Sequence, residues 1–434
     1  MEEILEKARK VAEEAEVFFV SHVETDVVFE ANRLKHVQSR ETSGRALRIV
    51  KEGRIGFAAS NRANGAGELV GMALEMAPFG AEARFEFPAP DSYPDVKVHD
   101  PDVESVSEEA MVALGQSLID KVREHTPDLV CDGSVSKGVI TVRILNSRGG
   151  GATYEKSVFG FGVEGVLIRG TDMLFVGDGD SSCRPLADVS GVVATTIEQL
   201  ERAKETAQAP TGQLPVIFTP QGVAVALLAP LAMAINGKTV VQGASPLGHR
   251  LGEQVLDSRI SIWDDATVDY RPGSRFCDGE GVPSRRTPII ENGVVTSFLY
   301  DLQTAAMAGR ESTGSGARGL TTLSTPSPST IVVEDGDTSF EEMLADMKDG
   351  LIVEQLLGAS QGNILGGDFS GNILLGYAVK NGEIVGRVKD TMVSGNIYEA
   401  LKEVAAVGRD GKWVGGRARI PHICCPRLAV SAKV

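Results

Sequence analysis

Residues Cys277–Asp301 read CDGEGVPSRRTPIIENGVVTSFLYD, and they combine turn-forming and charged side chains at an unusual density. Two acids, Asp278 and Glu280, alternate with glycines, and a proline and two adjacent arginines follow them. Asn292-Gly293 then stands between two apolar runs, which is the strongest short-range signal for a β-hairpin. The stretch therefore predicts a tight turn that leads into a hairpin.

The sequence around this stretch, residues 212-434, is richer in glycine and poorer in helical patterns than the rest. Further hairpin signals stand at Asn381-Gly382 and Asp410-Gly411, each between strand-like runs. One helix is clearly marked by a capping box that begins at Ser339, and Gly350 is the expected stop. We therefore predict that this region is a large β-rich domain.

The first 208 residues repeat the order helix, strands, helix in two units, 1-100 and 101-208. In the second unit, Ser107 precedes a run of acids and is a suitable N-cap. A Pro- and Asp-rich connector at 88–105 separates the units. The predicted fold class is α+β: N-terminal α/β layers from the two units, followed by the β-rich domain.

Composition excludes several classes of function. The chain has 434 residues, 42% hydrophobic and 24% charged, which is typical of a globular protein. Its net charge of −16 opposes direct binding to nucleic acid or to an anionic membrane. The start has no apolar signal core, and the five scattered cysteines are an odd number, typical of reduced thiols. We expect a cytoplasmic protein.

Familiar catalytic motifs do not occur in the sequence. There is no HExxH or HExxxH, no P-loop and no nucleophile elbow. Gly160–Gly165, GFGVEG, has the glycine spacing of a dinucleotide fingerprint but lies in a strand-like run with no helix after it. Cys424 and Cys425 stand next to His422, but neighbouring residues of a strand face opposite sides, which favours a buried strand over a metal site.

Polar side chains beside glycines form the candidate substrate-binding set, because small residues allow an extended peptide to approach and polar neighbours can bind its main chain. The alternative is that they are turns in which Asp and Asn cap the local backbone. No catalytic residue is assigned. The candidate residues are Asp278, Glu280, Arg285, Arg286, Arg318, Asn363, Asp368, Asn372 and Asn396.

The two adjacent arginines are expected to differ. On a strand after Pro283, Arg285 and Arg286 point to opposite faces. One should face a groove or a carboxylate, and the other should face solvent.

Several of these segments resemble the TldD/PmbA family, whose PmbA-like branch is also called TldE. The resemblance rests on DGEGVPSRRTPIIENGVVTSFLYDLQTAA at 278–306, STGSGAR at 312–318, and QGNILGGDFSGNILLGYAVKNGEIVG at 361–386. It extends over nearly the whole chain. TldD-like members of the family resemble zinc metallopeptidases, with HExxxH on a helix early in the third domain.

The resemblance places Leu228 and Met233 where the two histidines would stand and Ala229 where the glutamate would stand. It therefore implies the PmbA/TldE branch, with no metal or other cofactor in this chain and zinc only in a TldD-type partner. The implied function is that of a non-metal-binding partner subunit in a cytoplasmic metallopeptidase complex that degrades or processes unfolded peptides. This chain would then not be catalytic alone.

Two alternatives remain open at this stage. The chain could be a stand-alone peptide-binding homodimer without catalysis. It could also be a hydrolase that uses Asp278, Glu280 or Asp368 as acid and base, if their environments separate their pKa values.

Overall fold

The structure is a computed structural model that describes residues 1–62, 65–359 and 361–433. It has an α+β fold, which confirms the predicted class. Among the described residues, no helix is both long and apolar enough to cross a membrane.

Both N-terminal units contribute to one six-stranded antiparallel sheet, in the order β3-β2-β1-β4-β5-β6. Its strands are β1 (Glu14–Glu30), β2 (Arg33–Lys51), β3 (Arg54–Ser60), β4 (Val130–Asn146), β5 (Gly151–Arg169) and β6 (Asp172–Ser182). Each unit supplies a three-stranded meander, and β1 pairs with β4 to join them. The helices are α1 (Glu2–Ala8), α2 (Ala66–Met76), α3 (Asp102–Ser105), α4 (Glu108–His125) and α5 (Ser190–Arg202), with a 3₁₀ turn at Ala77–Phe79.

One face of this sheet is covered by helices. Phe161 and Val163 of β5 pack into a single buried cluster with Leu118 of α4 and Leu200 of α5. Because side chains alternate along a strand, the neighbouring residues of β5 face the other side of the sheet.

The remaining strands form the β-rich part of the chain. They are β7 (Thr206–Ala207), β8 (Gly212–Phe218), β9 (Ile262–Asp265), β10 (Arg286–Glu291), β11 (Val294–Val295), β12 (Gly316–Ala317), β13 (Thr325–Pro326), β14 (Ile331–Val333), β15 (Asp349–Leu357), β16 (Asp368–Lys380), β17 (Glu383–Val388), β18 (Thr391–Asn396), β19 (Ala406–Val407), β20 (Lys412–Val414), β21 (Ala418–Ile420) and β22 (Ile423–Ala432). The order β15-β8-β22-β18-β16 is closed by pairing of β15 with β16, and β9, β10, β11, β14, β20 and β21 form a second sheet.

Short helices connect these strands: α6 (Pro220–Val223), α7 (Ala229–Ala234), α8 (Gly237–Val241), α9 (Leu302–Met307), α10 (Phe340–Ala345) and α11 (Ile397–Ala400). The capping box at Ser339 is present, as predicted. The predicted stop at Gly350 is wrong, because α10 ends at Ala345 and Gly350 is a buried residue of β15. A Cβ there would lie 2.6 Å from the Pro215 carbonyl oxygen, a backbone atom, so packing requires the glycine.

The hairpins at Asn292-Gly293 and Asn381-Gly382 are confirmed, and all four residues have the positive φ that a type I′ turn needs. The hairpin predicted at Asp410-Gly411 is wrong. The flanking strands β19 and β20 pair with β22 and β21, not with each other. Neither residue has a positive φ, and the Gly411 N–H instead donates to the Asp335 carboxylate.

Candidate functional site

The turn that begins at Asp278 is held by its own carboxylate. Asp278 Oδ1 accepts hydrogen bonds from the N–H groups of Glu280 at 2.8 Å and Val282 at 3.0 Å. Gly281 has φ +79°, a left-handed conformation that glycine adopts without strain. Asp278 Oδ2 accepts the Gly316 N–H at 2.8 Å, which ties this turn to the STGSGAR segment. Asp278 therefore shapes two segments of the backbone.

Glu280 is completely buried at the junction between the β-rich part and the N-terminal sheet. Its carboxylate accepts the Leu302 N–H at 2.8 Å and the Arg48 guanidinium of β2 at 2.6 Å. Glu16 of β1 lies 3.2 Å from Arg48 and also pairs with Arg318. We call Glu16, Arg48, Glu280 and Arg318 the ionic junction. It links the two parts of the chain by alternating charges.

Burial determines the protonation behaviour of this junction. Burial raises the pKa of Glu280 to about 7, although the Arg48 guanidinium opposes the shift. Burial also raises the pKa of Asp278, opposed by Arg275 and three backbone N–H groups. Arg48 and Arg318 stay close to the rings of Phe85 and Phe18, which lie 4.8 Å and 4.4 Å from the guanidinium carbons. Apolar surroundings therefore limit the contact of these charges with water.

Sequence analysis proposed Asp278, Glu280 and Arg318 as substrate ligands. In the structure, all three are buried and bonded to other residues of the chain. This position favours the structural alternative, in which these residues hold turns and join segments. It also argues against Asp278 and Glu280 as an acid–base pair in this conformation, because neither carboxylate is open to a substrate.

Arg285 and Arg286 are both exposed, so the predicted contrast in exposure is wrong. Their partners do differ. Arg285 donates to the carbonyls of Ser312 and Thr313, whereas Arg286 lies near the carboxylates of Asp265 and Glu334 and over the ring of Trp263. Each arginine is therefore engaged at the surface by residues of the β-rich part.

The remaining candidates lie on the closed sheet or in the loop that leads into it. Asn396 Nδ2 donates to the Gly366 carbonyl at 2.8 Å and to Asp368 at 2.9 Å, and its Oδ1 caps α11 by accepting the Tyr398 N–H. Asn363 accepts the Gly366 N–H. We call Asn363, Asp368 and Asn396 the loop cluster. It is largely solvent-exposed and separate from the ionic junction in the strand order.

Asn372 is exposed further along β16, on the same face as Asp368. It stands opposite Met392 of β18. The structure therefore brings three of the nine candidates together in the ionic junction and its turn, places three in the loop cluster, and leaves the other three on the surface. Whether any of them binds substrate stays a prediction.

Sequence analysis missed Glu16 and Arg48 as functional candidates. Each lies within a run rich in apolar residues, EVFFV and RALRIV. A charge at a position that the alternation of a strand would bury needs a partner, and that was the available signal. The partner itself could not be found, because it is 232 residues away for the Arg48–Glu280 pair.

The segment that the resemblance aligned with a metal helix is helical throughout residues 220–234, with a π turn at Ala224–Leu228 between α6 and α7. Pro230 has no N–H to give to the preceding turn, which suits the wider π geometry. Ala229 is exposed, Met233 is 45% exposed and Leu228 is partly buried. These side chains offer no imidazole or carboxylate.

A zinc site of the HExxxH type therefore does not fit this helix, since zinc requires nitrogen, thiolate or carboxylate ligands. Within residues 1–62, 65–359 and 361–433, no group of three or more His, Cys, Asp or Glu side chains could hold a metal ion. Cys424 and Cys425 are buried and face different hydrophobic clusters, as the strand alternation predicted. Burial raises the pKa of Cys424 to about 11, so its thiol stays protonated at neutral pH.

Comparisons with known proteins agree with this architecture. The PmbA/TldA metallopeptidase C-terminal domain matches residues 211–432, just over half of the chain, and the PmbA/TldA metallopeptidase domain 1 matches residues 15–77. An uncharacterised protein of Methanocaldococcus jannaschii is 28% identical over 412 residues, which cover 92% of this chain and 93% of that protein.

A protein of Methanothermobacter thermautotrophicus named as a metalloprotease is 26% identical over 405 residues, 89% of this chain and 86% of that protein. The crystal structure of TldE from Thermococcus kodakarensis superimposes with a TM-score of 0.90 at 23% identity and covers 100% of both chains. That likeness concerns the fold. With the domain matches, it leads to one conclusion: the chain belongs to the PmbA/TldD family of metallopeptidase-related proteins.

Proposed function

We propose that this chain is a non-metal-binding subunit of a cytoplasmic TldD-type peptidase complex that degrades or processes unfolded peptides. In this complex a TldD-type partner supplies the zinc and the catalytic groups, and this chain helps to hold the peptide. The observation that carries the proposal is the helical segment 220–234. It stands where the family's metal motif would be, and it presents Leu228, Ala229 and Met233 in place of metal ligands.

The buried ionic junction gives further support. It fixes the N-terminal sheet against the β-rich part through Arg48 and Glu280. A chain that holds a peptide for a catalytic partner needs a rigid frame, and this junction provides one. The same residues give no support to the carboxylate hydrolase, since Asp278 and Glu280 are enclosed.

The test is to measure bound zinc and peptide hydrolysis for the purified chain alone, for a TldD-type chain alone and for their mixture. For this chain alone we expect no stoichiometric zinc and no hydrolysis. For the mixture we expect stoichiometric zinc and faster hydrolysis than with the TldD-type chain alone. The matched control is a mixture in which the glutamate of the partner's HExxxH is replaced by glutamine, which should be inactive. Stoichiometric zinc together with hydrolysis by the lone chain would refute the proposal.

Light scattering on the same samples separates this proposal from the stand-alone homodimer. A stable mixed complex of one chain of each type supports the partner role. A homodimer that binds peptide and does not exchange with the TldD-type chain would support the alternative.

A further inference from the structure

The helix-free face of the N-terminal sheet forms a trough of about 1060 Å³ against the β-rich part. Its floor consists of residues of β4, β5 and β6 that alternate with the buried ones. One wall includes Gln221 of α6, Gln355 of β15 and Leu374 of β16. The trough therefore reaches the beginning of the helical segment 220–234 that the sequence resemblance aligns with a metal helix.

The floor is open because its central side chains are small. Ser134 of β4, Gly162 of β5 and Gly179 of β6 lie side by side in register. The row two residues further along the strands contains Ser136, Gly160 and Ser181. Gly160 and Gly162 of the GFGVEG run thus leave room above the sheet for an extended chain.

The adjoining row carries charge. Asp132 of β4 stands directly opposite Glu164 of β5, and Glu164 stands opposite Gly177 of β6. Like charges in directly opposed positions destabilise a sheet. Asp132 accepts the Ala31 N–H, but no cationic side chain among the described residues forms an ion pair with Asp132 or Glu164. A cation from outside would relieve this repulsion.

The excess of negative charge extends to the rim of the trough. Three acids on this face line it, Glu30, Asp132 and Glu164, and the one cation among its described lining residues, Lys35, is paired with Glu30 at 2.8 Å. Beyond the charged row, an apolar row ends the floor. That row consists of Val130, Val166 and Phe175.

From this geometry we infer that the trough binds an extended polypeptide that carries lysine or arginine, with an apolar residue two positions away on the same face. Rows of a sheet two residues apart are about 7 Å apart, which equals the spacing of alternate side chains in an extended peptide. The floor from Gly160 to Val166 is about 20 Å long and accommodates roughly six residues. The inference rests on the proposed peptide-handling function and names the class of peptide.

The experiment measures fluorescence anisotropy of the full chain with a labelled heptapeptide in which two lysines and a central leucine alternate with serines. A second peptide has glutamates in place of the lysines. We expect saturable binding of the lysine peptide, weaker at high salt because the ion pairs are exposed, and binding of the glutamate peptide at least tenfold weaker.

Two variants locate the binding. Asp132→Asn combined with Glu164→Gln should weaken binding of the lysine peptide about three- to tenfold, the loss of two exposed ion pairs. Gly162→Val should weaken it about tenfold or more by filling the floor. The new Cβ would lie 3.3 Å from the Asp178 carbonyl oxygen, so the neighbouring strand must shift by a few tenths of an ångström. Glu155→Gln, an exposed position on β5 that does not line the trough, is the matched control and should bind as the wild type does.

Absence of saturable binding, equal affinity for both peptides, or unchanged affinity in both variants would overturn the inference. Complete displacement of the peptide by equimolar spermine would overturn it too, since that would assign the trough to a small polycation. These outcomes differ from failure of the proposed function, because they are measured on the lone chain without zinc or hydrolysis.

Discussion

The ionic junction and the loop cluster are built from similar residues, polar side chains next to glycines, but they are used differently. In the junction, Glu280 and Arg318 are buried and reach residues of the N-terminal sheet. In the loop cluster, Asn363 and Asn396 mainly bind backbone groups within their own region. Such a motif can therefore either join distant parts of a fold or cap a local turn, and burial distinguishes the two.

The largest effect is expected for Arg48→Met in the junction. Removing the guanidinium leaves the buried carboxylate of Glu280 without its cation, so the free energy of unfolding should fall by about 3–5 kcal/mol. Urea denaturation of the variant and the wild type measures this difference in the free energy of unfolding. The control is Arg40→Met on the same strand, whose exposed ion pair with Glu24 should contribute less than about 1 kcal/mol. Equal losses of unfolding free energy in the two variants would show that the buried ion pairs of the junction contribute no more than an exposed one.

Glu280→Gln tests the junction through its pH dependence. Burial raises the pKa of Glu280 from 4.5 to about 7, so the folded state holds this proton more tightly than the unfolded state. The resulting stability is complete below pH 4.5 and is lost as the pH rises through 7.

The free energy of unfolding of the wild type minus that of Glu280→Gln should therefore decrease across this pH range. Urea denaturation at a series of pH values measures the difference. A difference that increased with pH would show that Arg48 outweighs burial.

Asn396→Ala tests the loop cluster. Loss of an N-cap side chain costs about 1 kcal/mol, so a smaller effect than that of Arg48→Met is expected. Hydrogen exchange should also become faster at the Tyr398 amide, which donates to Asn396 at 3.0 Å. Asn372→Ala, an exposed position on the same sheet, is the control. If Asn396→Ala destabilised the protein as much as Arg48→Met, the loop cluster would have to join distant segments as well.

The smallest effect is expected for Arg286→Gln. Arg286 is 49% exposed at its side chain and lies 3.2 Å from Glu334, and exposed pairs of this kind contribute less than about 1 kcal/mol. Thermal unfolding of the variant should match the wild type to within a few degrees. A large decrease in the melting temperature would show that Arg286 contributes to stability as the buried junction residues do.

Local signals were predictable where neighbouring residues determine the structure. The capping box at Ser339 and the turns at Asn292-Gly293 and Asn381-Gly382 depend on side chains and backbone angles within a few residues. The hairpin prediction at Asp410-Gly411 was wrong because a distant carboxylate, that of Asp335, accepts a hydrogen bond from the Gly411 amide. The prediction that Gly350 ends a helix was wrong because this glycine lies in a strand, where close packing requires it.

The candidate site residues show the same limit of local sequence information. Sequence could identify Asp278, Glu280 and Arg318 as unusual, but it could not tell a peptide ligand from a buried link. The GFGVEG run was dismissed as a cofactor motif, and its place on a sheet face makes it the floor of the trough.

The sequence was enough to predict the α+β class, the family, the turns at Asn292-Gly293 and Asn381-Gly382, and the lack of metal ligands at residues 228, 229 and 233. Composition, motifs and short-range geometry are contained in neighbouring residues. The link from Glu16 through Arg48 to Glu280 and the pairing of Asp132 with Glu164 were set by the tertiary structure. These pairs come from segments far apart in the chain. Their energies depend on burial and on strand register, which long-range packing sets.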